Sequence, residues 1–153
     1  MRRWCLGSGD IIDGCESMTS YLTRMGCDPT GTDCVLFTAL TDVTSGLTLA
    51  SSWELLGLPS NLHLSDPTLS WVISPFPSTD GSTNITVTAN SATAAFVTLT
   101  TLAQGRFSDN AFWLSSGASS GLSRTISFIP FGDFDAQLLA TSLRVEHLQQ
   151  YLP

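Results

Sequence analysis

From Val35 onward, short runs of β-branched and aromatic residues are separated by turn formers, and within the runs apolar and polar positions alternate. That period belongs to strands with one face in a core and the other in water. It predicts strands near 35–41, 47–53, 68–74, 84–90, 94–101, 111–114, 124–129 and 143–148. Asp42 to Gly46 forms a turn that should pair the first two strands antiparallel. In the third, Leu69, Trp71 and Ile73 are expected to meet the core and Ser70 and Ser74 to face water. Ile85, Val87 and Ala89 point inward in the fourth, and Asn84, Thr86 and Thr88 outward. Pro75 and Pro77 lack amide hydrogens and break the ladder, and Thr79, Asp80 and Gly81 continue that turn. Phe134, Leu138 and Leu139 fit one or two helical turns between Asp133 and Thr141. Leu143 and Val145 then face one way and Arg144 and Glu146 the other, as in a closing edge strand. The expected fold is an all-β antiparallel sandwich with one short helix near the C-terminus.

Residues 1–33 are rich in Gly, Asp and Ser and carry no sustained period. They read as a poorly ordered or misassigned leader, with 34–153 as the folded domain. The 153 residues suit one domain, which could bury roughly two thirds of the surface its unfolded chain exposes. Only 12% of residues are charged, lysine is absent, and Ser and Thr are abundant, which favours β structure with polar outer faces. A net charge of −7 repels phosphate backbones and anionic membranes, so neither nucleic acid nor membrane is an expected partner. Arg2 and Arg3 precede Trp4, Cys5 and Leu6, but Asp10 and Asp13 interrupt the apolar run, so no signal-peptide core or membrane span is read there.

The four cysteines, Cys5, Cys15, Cys27 and Cys34, lack the paired two-residue spacing of a structural zinc site, and no metal or cofactor is expected. Cys27 and Cys34 bracket a turn-rich segment, Asp28 to Gly31, and are candidates for a short disulfide loop in an oxidising compartment. Cys5 and Cys15 have no assignable partners. No Gly-x-Ser-x-Gly elbow accompanies His63 and His147, which take surface or packing roles. Asp133 and Asp135 offer too few oxygens for a calcium cage, and a solvated loop or helix cap suits them better. Trp53, Trp71 and Trp113 could stack on sugar rings, although nothing in their spacing requires it and burial is the plainer fate. Asn84-Ile85-Thr86 is the single N-glycosylation sequon, its Asn and Thr both in the outward phase.

One segment concentrates unusual chemistry: GRFSDNAF at 105–112 sets turn residues, a cation and a carboxylate between two aromatics. Gly105 is expected to supply backbone angles closed to other residues. Ser108, Asp109 and Asn110 should bond to nearby main chain, and Phe107 and Phe112 should anchor the ends in the core. The string resembles the signature of the C-terminal immunoglobulin-like domain of glycoside hydrolase family 2 beta-mannosidases of the secreted fungal kind. Similar matches run in order through VLFTALTDVTSGLTLASSWELLG at 35–57, DPTLSW at 66–71, AAFVTLTTLAQGRFSDNAFWL at 94–114 and TISFIPFGDFDAQLLATSLRVEHL at 125–148. Many relatives carry a bulky aromatic followed by Leu and Asp where this chain has Thr98, Leu99 and Thr100.

The resemblance implies an immunoglobulin-like sandwich from a retaining exo-glycosidase, which needs two carboxyl groups about 5 Å apart. In that family both are glutamates on a barrel, and Glu16, Glu54 and Glu146 match neither motif, so no catalytic residue is assigned. The barrel needs more residues than this chain holds. The implied role is an accessory domain of an enzyme that removes terminal beta-linked mannose, with the preceding domains of the parent glycosidase as partners and a manno-oligosaccharide as candidate ligand. Its parent would be secreted, and the chain would be a fragment of it or a truncated gene model. Residues Gly105, Arg106, Phe107, Ser108, Asp109 and Asn110 form the signature loop. Arg106 either meets a carboxylate of the catalytic domain or pairs internally with Asp109, the preferred assignment. The alternative is a free-standing carbohydrate-binding module without hydrolytic activity.

Overall fold

A computed structural model describes residues 3–4, 16–75, 77–79, 81–115, 122–133 and 135–152, with side chains from Thr19 onward. The expectations at Cys5, Cys15, Asp80, Phe134 and the Glu16 side chain lie outside the described residues. Two compact units divide the chain, 1–63 and 64–153.

In the first unit, β1 (Arg3–Trp4) pairs antiparallel with β2 (Glu16–Ser17), and α1 spans Met18–Arg24. Gly26, at φ +84°, ends α1: the Gly26 amide donates to the Thr23 carbonyl at 3.1 Å and the Cys27 amide to Leu22 at 2.9 Å. These crossed bonds are a Schellman motif, which needs a residue in the left-handed region where glycine is least strained. Cys27 and Cys34 then close a disulfide loop, Cα to Cα 5.9 Å. Thus residues 18–33 contain a capped helix and a clamped loop where the sequence suggested a poorly ordered leader. A seven-residue helix is too short to show a period, and its C-terminal end is fixed by these contacts.

The hairpin β3 (Val35–Thr41) and β4 (Thr48–Leu55) follows, in register from Val35 opposite Leu55. Its turn forms because the Asp42 carboxylate accepts the amides of Thr44 at 3.0 Å and Ser45 at 2.7 Å and the Ser45 hydroxyl at 2.9 Å. Phe37 packs on Trp53, ring centroids 4.4 Å apart. The strands fall where the alternation places them, but the hairpin belongs to the first unit, so the compact body of the sandwich begins at 64 and not at 34.

The second unit is the sandwich. One sheet has the order β5 (Leu69–Ile73), β6 (Thr83–Ala89), β10 (Ser123–Pro130), β8 (Gly105–Phe107). The other has β11 (Arg144–Glu146), β7 (Ala94–Thr100), β9 (Phe112–Leu114), and all strand pairs are antiparallel. From β6 to β11 every connection switches sheets. The seven-residue helix α2 (Ala136–Ser142) carries the last switch, with the Asp135 carboxylate capping it by accepting the Leu138 amide at 2.8 Å. That is the helix-cap role expected for Asp135.

Ile85, Val87, Ile126 and Phe128 from one sheet and Val97, Leu99, Leu114 and Val145 from the other form the core, closed by Leu139 of α2. Ile85, Val87 and Ala89 are buried as the alternation requires. Trp71 shares the inward phase, opposite Val87, yet stays 43% exposed. It sits on the edge strand of a four-stranded sheet faced by three strands, so its expected burial is only half met.

Candidate functional site

The GRFSDN segment occupies the switch from β8 in one sheet to β9 in the other. Where the sequence suggested a loop, Gly105–Phe107 is a strand paired with β10, Phe107 opposite Phe128 and Arg106 opposite Ile129. Three residues beginning with glycine carry no strand period, and it is the neighbouring β10 that makes them one. Gly105 is required for a reason other than the one expected. Its φ is not positive, but a Cβ there would lie 2.3 Å from Phe128 Cζ and 2.6 Å from the Ile129 carbonyl oxygen. The glycine lets the chain pass beside the Phe128 ring, which Phe107 meets at 5.4 Å between centroids.

Each following polar residue is spent on main chain or on a side chain of a neighbouring strand. Ser108 extends the pairing with Ser127: its amide donates to the Ser127 carbonyl at 2.8 Å, and its hydroxyl accepts the Ser127 amide at 3.0 Å. Asn110 turns to the other sheet. Its Oδ1 accepts the Leu99 amide at 2.8 Å, and its Nδ2 donates to the Leu99 carbonyl at 2.9 Å. A side-chain amide presents an acceptor and a donor with nearly the geometry of a peptide group, so Asn110 extends the β7 ladder ahead of the start of β9. Leu99 is 1% exposed and part of the core. Ala111 follows in the left-handed region at φ +57° and leads into the buried strand Phe112–Leu114.

Asp109 pairs with Arg124 and not with Arg106. Arg124 lies on β10, its guanidinium 5.0 Å from the centre of the Phe112 ring. The pair therefore ties the loop to β10 and covers the start of β9. Proximity in sequence favoured Arg106, but Arg106, opposite Ile129, takes the outer face of the sheet, whereas Arg124, opposite Val87, takes the face towards Phe112. Arg106 is exposed on the outer face of β8, with no ion pair to a described carboxylate. The Arg124 contribution was missed because nothing in the local sequence reveals strand register.

Of the other candidates, His147 is buried and contacts Gln149 Oε1 at 3.3 Å, whereas His63 is exposed. Gln149 is a second unforeseen tie: its Oε1 accepts the Ala95 amide at 3.2 Å and its Nε2 donates to the Thr93 carbonyl at 2.7 Å. Trp113 is buried on β9, Trp71 lies on the β5 edge, and Trp53 is in the first unit, so no shared platform is formed by the first two. Glu146 accepts the Tyr151 hydroxyl, which holds the phenol above its ordinary value, and Glu54 is exposed opposite Leu36. Asn84 is half-buried on the outer face of β6, its Oδ1 accepting the Ser127 hydroxyl at 2.8 Å.

At one end of the sandwich Ala103, Gln104, Phe131, Asp133, Asp135 and Leu138 line an open concavity of about 340 Å³. Phe131 there is 63% exposed, and the adjacent Leu102 is 77% exposed. The Phe131 amide donates to the Gln104 carbonyl at 3.1 Å, which holds the two loops together.

In comparison with known families, residues 64–151, more than half of the chain, fit the family Ig_mannosidase, an Ig-fold domain. Those limits nearly coincide with the second compact unit. No curated protein matches the chain.

Proposed function

Because the chain belongs to the Ig-fold domain family of mannosidases, we propose that it serves as the accessory C-terminal domain of a beta-mannosidase, an enzyme that hydrolyses terminal non-reducing beta-D-mannose residues. Its contribution is mechanical: it stabilises the preceding domains by packing against them. The observation that carries this reading is the fate of the signature. Its glycine, serine and aspartate are spent on fitting the segment to β10 and its asparagine on bridging to β7 in the other sheet, which is the work of a rigid body and not of a reacting centre. The exposed Leu102 and Phe131, on loops fixed at the same end of the sandwich, offer the apolar contact through which it docks.

The test combines two measurements on the purified chain. It should release no product from an aryl beta-mannoside, and it should raise the melting temperature of a beta-mannosidase whose own C-terminal domain has been deleted. Turnover by the chain alone, or no effect on the truncated enzyme, would overturn the reading.

The concavity favours a second reading. Phe131 supplies an exposed aromatic ring to its lining, and Gln104 and Asp133 supply polar side chains, a combination suited to the apolar and hydroxylated faces of a pyranose. Titration calorimetry with mannobiose separates the two. Heat of binding that disappears in Phe131→Ala supports a carbohydrate-binding module, and its absence supports docking alone.

A further inference from the structure

Between residues 84–88 of β6 and 123–127 of β10, the outer face of the sheet is an array of hydroxyls around one amide. Thr86 and Thr125 Oγ1 atoms lie 2.9 Å apart, Thr88 Oγ1 and Ser123 Oγ 2.9 Å apart, and Asn84 Oδ1 accepts the Ser127 hydroxyl. Asn84 and Thr86 are the first and third residues of the sequon, and both belong to this array.

We propose that Asn84 carries an N-linked glycan over this face, attached before β6 pairs with β10. Three observations support it. Asn84 faces outward from a sheet whose neighbouring outward side chains, Val72, Thr86, Thr125 and Ser127, are all small, so a glycan has room to stand. Oδ1 is the atom held by Ser127, which leaves Nδ2, the atom to be modified, as the end not engaged in that bond. The Cys27–Cys34 disulfide belongs to the oxidising compartments, where asparagine-linked glycosylation also takes place.

The timing follows from the same bonds. A membrane glycosyltransferase must reach both the Asn84 amide and the Thr86 hydroxyl of an extended, free segment. In the folded sheet the Asn84 carbonyl is taken by the Ser74 amide at 2.8 Å, and the Thr86 hydroxyl by Thr125, 39 residues further along the chain. Transfer therefore belongs to the nascent chain. In that step the bond from Asn84 Nδ2 to the sugar C1 forms as the C1–O bond to a lipid-diphosphate oligosaccharide donor breaks. The amide gives up one proton and the lipid diphosphate leaves. Once attached, the glycan keeps this sheet face in solvent and leaves docking to the loop end.

The experiment is expression of the chain behind a cleavable secretion signal in a eukaryotic host, read by intact mass and by peptide mapping before and after amidase release of N-glycans. The expected result is one glycan at Asn84, retained in Thr86→Ser and lost in Asn84→Gln and Thr86→Ala. Thr86→Ala keeps the Asn84 to Ser127 bond, so loss there reports the acceptor site and not misfolding, with near-ultraviolet circular dichroism as the check. A secreted, folded wild-type chain with an unmodified Asn84 overturns the proposal. For the timing, the unglycosylated chain is refolded and offered to microsomes beside nascent chain. At least a tenfold preference for nascent chain is expected, and equal modification of the refolded chain overturns the order of events.

Discussion

At the scale of single residues, two positions in the signature are fixed by contacts that no local rule reveals. Gly105→Ala would drive a methyl group into the Phe128 ring and the Ile129 carbonyl. Overpacking of this kind costs about 1–3 kcal/mol, and the backbone oxygen cannot swing aside, so a loss of about 3 kcal/mol is expected in urea unfolding. Asn110 separates the two halves of its pseudo-peptide bond. Asn110→Asp keeps the acceptor for the Leu99 amide and removes the donor to the Leu99 carbonyl, a cost of about 1–3 kcal/mol for the group left unsatisfied. Asn110→Ala removes both and should cost more. Equal stability of the two variants would show that the Leu99 carbonyl contributes nothing.

At the scale of elements, the loop between β8 and β9 is tied to β10 by charge and by a ring face. Arg124 and Asp109 are each more than a third exposed, so solvent screens the pair, and the ring contact adds a similar small increment. Arg124→Ala should lower stability by about 1 kcal/mol, whereas Arg106→Ala should fall within about 0.5 kcal/mol of wild type. The reverse ranking in thermal unfolding would mean that Arg106 is the internal tie. The β3–β4 turn makes a pH prediction. Hydrogen bonds from the Ser45 amide and hydroxyl hold the Asp42 carboxyl below its ordinary value. A folded value below the unfolded one means that the stabilisation is fully present above the unfolded value, about 3.9, and is lost as pH falls through the folded value. The stability difference between wild type and Asp42→Ala should thus be constant from pH 7 to 5 and vanish towards pH 2. A difference unchanged at pH 2 would assign the turn to backbone preference alone.

At the scale of the molecule, the two units rest on different kinds of constraint. The sandwich has a core drawn from both sheets, in which Phe128→Ala should cost about 3–5 kcal/mol. The first unit has a two-stranded hairpin, marginal by itself, and the Cys27–Cys34 loop with a sequence separation of 7. Closing a loop of that size is worth about 2.5 kcal/mol on the chain-entropy account. Reduction should therefore lower amide-exchange protection first within residues 19–57, and even protection across that segment after reduction would contradict the estimate. The sequence by itself determined the strands: alternation marked eight of them in the sandwich and hairpin within a residue or two, because burial on one face leaves a period of two in the chain. It determined the disulfide candidates and the family as well, since both are written in residue identity. Only the tertiary structure decided that the hairpin belongs to the first unit, that Gly105–Phe107 is a strand, and that Arg124 rather than Arg106 holds Asp109. Those outcomes depend on the register between segments up to tens of residues apart, and a local pattern fixes which face a side chain takes without fixing which neighbour it meets there.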